Sequence, residues 1–209
     1  MKASIRAIFD ELYTRYPALT ACKADIEGAA QLMIEGFESG HKLLTCGNGG
    51  SASDAEHIVG ELMKAFVLPR KLSAEMVEKL GDPYLSDNLQ GALPAVSMIG
   101  ESALSTAYAN DCAPDLAFAQ QVLGLGKEGD MLLGISTSGN SKNVVYAAKV
   151  ARAQGLKVVM LTGEAGGKCA ELADIAIRVP EKETFKVQEY HLPVYHALCL
   201  AIEEYFFGE

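Results

Sequence analysis

From residue 42 onward the chain repeats one arrangement: a short apolar run, a turn, then a helix-like stretch. The runs are KLLTC at 42–46, LPAVSMI at 93–99, MLLGIS at 131–136, KVVMLT at 157–162 and DIAIRVP at 174–180. Gly, Asp or Pro bounds each of them. Short runs without polar alternation have no solvent face and read as parallel strands covered on both sides. Segments such as 143–154 have the length and pattern of the crossover helices that parallel strands require. The pattern predicts an α/β fold: a doubly wound, mostly parallel five-stranded sheet flanked by helices.

Two helices are expected before the sheet. Ile5, Ile8, Phe9, Leu12 and Tyr13 recur at helical spacing, and a second helical segment runs from about 24 to 37. A long apolar helix, TFKVQEYHLPVYHALCLAIEEYFF, closes the chain, with Pro193 expected to kink it or loosen its first turns. Residues 67–92 break the rhythm. They are charged, hold Pro69, Gly81, Pro83 and Gly91, and predict one short helix around 74–80. They read as an insertion or lid within a single domain spanning 1–209.

Composition excludes several classes. At 209 residues and 49% hydrophobic content, the chain can bury one sizeable core. A net charge of −9 argues against a nucleic-acid backbone as partner, although a pocket on an acidic protein can still be locally positive. The charged N-terminal stretch does not read as a signal peptide, and no membrane-spanning run is expected. Cys22, Cys46, Cys112, Cys169 and Cys199 are scattered, without a CxxC pair, as expected for free thiols in a cytoplasmic protein.

Two loops suit an anion. CGNGGS, residues 46–51, follows the first strand. Gly47, Gly49 and Gly50 permit positive φ and close approach, and Ser51 or Ser53 can cap the next helix. A tight strand-to-helix turn without a ligand accounts for this loop equally well. ISTSGNSKN, residues 135–143, places Ser136, Thr137, Ser138 and Ser141 around Gly139 and Asn140. Hydroxyls and free amides together suit a phosphate held without metal or lysine. A serine-rich helix cap is the simpler alternative, but four hydroxyls exceed what capping needs.

His57 and Glu61 stand at i and i+4 on one helix face, about 6 Å apart at Cβ. Alone they could be an ordinary helix ion pair. The closing helix adds Gln188 and His196, roughly 80° apart on a helical wheel, so both can face one cavity. Two imidazoles, a carboxylate and an amide make a zinc-type donor set.

With these motifs the chain resembles the sugar isomerase (SIS) domain family, and within it the bacterial phosphoheptose isomerases. The resemblance is carried by CGNGGS, by AND at 109–111, and by GDMLLGISTSGNSKNV, VVMLTGEAGG and VQEYHLPVYH, in that order along nearly the whole chain. It implies zinc held by His57, Glu61, Gln188 and His196, with Glu61 and His196 also the acid–base pair. It implies phosphate binding by Ser136, Thr137, Ser138 and Ser141. Contacts to the sugar would come from Asn48, Gly49, Gly50, Ser51, Asn110, Asp111 and Gln188. It implies a homotetramer with sites at subunit interfaces, so that Glu61 and His196 can reach one site from different chains. The implied reaction is isomerisation of sedoheptulose 7-phosphate to D-glycero-D-manno-heptose 7-phosphate through an enediol, in lipopolysaccharide or capsule heptose biosynthesis.

The chain departs from that family in its longer 67–92 segment and in Ala65, where the family carries an arginine. Both departures bear on which sugar is used. Another sugar phosphate as substrate, or a non-catalytic SIS protein that binds a phosphosugar or associates with a replication initiator, are the alternatives. Retention of Glu61 and His196 favours an enzyme.

Overall fold

The computed structural model describes residues 2–208. The five apolar runs form five strands: β1 (Leu43–Cys46), β2 (Ala95–Ser97), β3 (Met131–Ser136), β4 (Lys157–Thr162) and β5 (Ile175–Arg178). All neighbours pair in parallel, in the order β2-β1-β3-β4-β5. Alternation along the strands divides the core into two layers. Leu43, Met131, Leu133, Ile135, Val159 and Leu161 face one side, where the helices α1 (Ala3–Arg15), α2 (Lys23–Glu38), α3 (Gly50–Met63) and α10 (Thr184–Phe207) contribute the packing residues. Leu44, Cys46, Leu132, Val158 and Met160 face the other, under α7 (Ala117–Leu125), α8 (Lys142–Ala153) and α9 (Gly167–Leu172). The central β1 and β3 are buried along their whole length and lack polar alternation for that reason, whereas the edge strands β2 and β5 are only partly covered.

Helix α10 is continuous through Pro193, without the loosened first turns expected from sequence. Proline removes one amide donor, but the carbonyl it frees belongs to the exposed Glu189, which water can reach.

The 67–92 segment differs from expectation by one element. Besides α4 (Ala74–Leu80), as read from sequence, it holds α5 (Pro83–Asn88). Asp82 caps α5, accepting from the amides of Tyr84 and Leu85, and Pro83 occupies its first turn. Neither helix has a buried residue. The segment is fastened at its root: the Gly91 amide donates to the Arg70 carbonyl at 2.7 Å, so the chain leaves and returns at one point. The remaining helix, α6 (Ser102–Asp111), also buries no residue.

Candidate active site

In a sheet of this order, connections from β1 and β3 run to opposite sides, leaving a crevice beyond their C-terminal ends. The two loops singled out from sequence border it. In the first, Gly49 has φ +58°, and a Cβ on Gly47 would lie 2.4 Å from the Ser51 carbonyl oxygen, so both positions require glycine. Across the crevice the side chains of Asn48 and Asn143 form a reciprocal amide pair, with bonds of 3.0 and 2.8 Å. Asn48 is among the residues expected here; Asn143, in the first turn of α8, is not.

The second loop is a cradle of hydroxyls at the start of α8. Ser136 Oγ and Ser141 Oγ are 2.9 Å apart, and the Ser141 amide points to Ser136 Oγ at 3.4 Å. Ser138 Oγ accepts from the Asn140 amide at 3.1 Å. Ser141 is the N-cap residue of α8 but makes no side-chain capping bond. Its hydroxyl therefore does not serve the helix, contrary to the simpler alternative. Gly139 has φ +65°, and a Cβ there would fall 1.9 Å from the Gly166 carbonyl oxygen. The loop after β4 thus presses on the cradle from behind.

The third group is assembled from distant segments. His57 Nε2 lies 3.0 Å from Glu61 Oε1, the i,i+4 contact the spacing predicted. His57 Nδ1 lies 3.0 Å from the Tyr195 hydroxyl, which also donates to Asp54 Oδ1 at 3.3 Å. Burial raises the Asp54 carboxyl above its ordinary range, and the Tyr195 hydroxyl opposes this. The His196 ring stands 5.2 Å from that of His57 and 5.5 Å from that of Phe66. Glu61, through its contact with His57, and His196 therefore belong to one cluster within the chain. Burial, then the neighbouring His57, pushes the His196 pKa below its ordinary value, which keeps the ring neutral near pH 7.

Two atoms of this group are buried without a hydrogen-bond partner: Glu61 Oε2 and His196 Nε2. The Lys64 ammonium is 3.8 Å from Glu61 Oε2, too far for a hydrogen bond. Gln188 joins from the first turns of α10: a Cβ on Gly50 would lie 2.5 Å from its Nε2, so the amide rests against the first glycine loop. Asn110 and Asp111, at the end of α6, are exposed. Asn110 Nδ2 donates to Asp111 Oδ1 at 2.7 Å, and among the described residues no hydrogen bond ties either to the loops.

The donor chemistry of His57, Glu61, Gln188 and His196 fits zinc, and two of its atoms are unused. Among the described residues, however, no three His, Cys, Asp or Glu side chains stand in a metal-holding arrangement. The His57–Glu61 contact occupies atoms that a metal would take.

The comparisons with known proteins agree with this architecture. SIS domain models match residues 103–201 and 16–89. A phosphoheptose isomerase from Shewanella frigidimarina is 38% identical over 213 aligned positions, covering 100% of this chain and 98% of that protein. One from Akkermansia muciniphila is 35% identical and covers 92% of each. The structure of a phosphoheptose isomerase from Neisseria gonorrhoeae superposes with a TM-score of 0.75 at 34% identity, covering 96% of this chain and 97% of that one. With a relative this similar along its whole length, the chain belongs to the SIS domain family, among its phosphosugar isomerases.

Proposed function

We propose that the chain interconverts a ketose phosphate and its aldose, with sedoheptulose 7-phosphate and D-glycero-D-manno-heptose 7-phosphate as the pair. The observation that carries the reading is the pair of unpartnered buried atoms, Glu61 Oε2 and His196 Nε2, in one small cluster. An unsatisfied carboxylate oxygen and imidazole nitrogen are costly in a folded protein unless a ligand meets them.

Isomerisation moves a proton between C1 and C2. Glu61 Oε2 removes the C1 proton of the ketose and returns it at C2, while Oε1 stays hydrogen-bonded to His57. Neutral His196 takes the proton of the C1 hydroxyl and delivers it to the carbonyl oxygen at C2, so charge and protons balance across the enediol. The cradle of Ser136, Thr137, Ser138 and Ser141 holds the phosphate and fixes the sugar against the acid–base pair. Asn48, Ser51 and Gln188 face the hydroxyls between the two ends, with Asn110 and Asp111 available from α6.

Zinc held by His57, Glu61, Gln188 and His196 would polarise the carbonyl and its neighbouring hydroxyl, and Glu61 and His196 would serve as base and proton carrier only through atoms not engaged by the metal. A homotetramer, a cytoplasmic location and a role in lipopolysaccharide or capsule heptose biosynthesis complete the proposal, and the 67–92 segment serves as the lid that selects the sugar. Among the described residues no helix is long and apolar enough to cross a membrane, which is compatible with this placement.

The test is turnover of sedoheptulose 7-phosphate by the purified protein, with and without added zinc, read as aldose formed. Zinc content by mass spectrometry and a zinc-dependent rise in melting temperature check the metal separately from activity. Turnover of a different ketose phosphate would reassign the substrate. Binding without turnover of any ketose phosphate would favour a phosphosugar-binding protein instead.

A further inference from the structure

Arg70 and Glu203 belong to neither the donor set nor the cradle, yet both are buried, at 2% and 1% exposure. Arg70 Nε donates to Glu203 Oε1 at 2.9 Å, and Nη2 approaches the same oxygen at 2.8 Å. Nη1 donates to the Leu62 carbonyl at 2.7 Å and Nη2 to the Glu61 carbonyl at 2.8 Å. Glu203 accepts from the amides of Phe66 and Val67, each at 2.8 Å, and of Leu68 at 3.1 Å. The Phe207 ring covers the guanidinium, with its centroid 4.7 Å away.

A buried ion pair is seldom better for stability than apolar residues of the same volume. What this pair touches gives it another use. The last carbonyls of a helix have no partner within it, and Arg70 takes two of those at the end of α3, one of them Glu61's own. A planar fork on two carbonyls fixes orientation as well as distance. On the other side, Glu203 fixes the Phe66 amide, and the Phe66 ring stands against His196. Glu203 and His196 also ride on the same helix, about two turns apart.

We propose that Arg70 and Glu203 are positioning residues for the acid–base pair. One buried fork sets Glu61 through its backbone and His196 through Phe66, and so fixes the distance between the two. The role in turnover rests on the isomerase reading above; the geometric claim does not.

Arg70→Lys keeps the charge and loses the fork, and Glu203→Gln keeps the shape and loses the charge. Each is expected to lower kcat about 10–100-fold. KM for sedoheptulose 7-phosphate should stay within about threefold, because the cradle makes no contact with the pair, and binding and chemistry then separate. In imidazole 1H–15N spectra the His196 resonances should shift, while those of His41, beside Asp130 in another part of the fold, stay in place. Unchanged kcat with an unchanged His196 signal in a folded variant overturns the proposal. So does a parallel rise in KM, or an equal shift at His41, either of which marks general loosening. If neither variant folds, the half-buried Phe66→Leu carries the test: a fall in kcat with KM kept within about threefold supports the linkage, and an unchanged kcat overturns it. A wild type that turns over no ketose phosphate defeats the isomerase reading, and the spectra still decide the positioning claim.

Discussion

The hydroxyl cradle and the cluster proposed for acid–base chemistry are built in opposite ways. The cradle is one contiguous stretch between β3 and α8, shaped by bonds within its own loop and by the neighbouring loop at Gly166. The cluster gathers Asp54, His57 and Glu61 from α3, Phe66 from the following loop and Tyr195 and His196 from α10. A cradle that binds through several hydroxyls and amides loses only part of its grip with any one side chain. In a cluster of single-purpose groups, each loss removes a step. The cradle should therefore register in KM, and the cluster in kcat.

Glu61→Gln tests this most severely. It keeps the side chain's size and removes the base, so kcat should fall by about 10³-fold or more while calorimetry still detects sugar-phosphate binding. Near-normal turnover would remove Glu61 from the chemistry. The next largest effect concerns α10, which carries Tyr195 and His196 of the cluster. His191 is fully buried, and burial pushes its pKa down to about 4 from 6.5, the Thr162 backbone offsetting a little. As pH falls, the unfolded chain takes up this proton first. Stability is therefore full above about pH 6.5 and erodes towards pH 4, by about 3 kcal/mol in all. Melting temperatures across that window should fall more steeply in the wild type than in His191→Gln.

At the cradle, Ser136→Ala removes the hydroxyl paired with Ser141 and should raise KM about tenfold, with kcat changed less than threefold. A kcat loss larger than the KM rise would erase the distinction between the two regions. The smallest effect is expected at Asn143→Ala, which breaks the amide pair across the crevice. A rise in KM of about threefold is expected there, from a weaker hold on Asn48.

The same contrast explains what could be read before the structure was known. Strands covered on both faces, glycines with positive φ and contiguous hydroxyls leave local marks, so the five strands, the cradle and the i,i+4 contact of His57 and Glu61 were all legible. Relations between distant segments leave none. Nothing in the sequence ties Tyr195 to Asp54 and His57. Arg70 read as one more charge in an irregular segment, although it is buried against Glu203. The short α5 was hidden because its Asp82 cap and Pro83 look like further loop punctuation.

The bond between the Gly91 amide and the Arg70 carbonyl has a consequence for how this protein can change. That bond closes the stem of the hairpin-like excursion, and neither α4 nor α5 beyond it contributes a buried residue to the interior. Helices α4 and α5 could be shortened, exchanged or grafted with little strain on the interior, provided the stem is kept. New substrate preferences could then be tried at that rim while the reacting groups stay where they are.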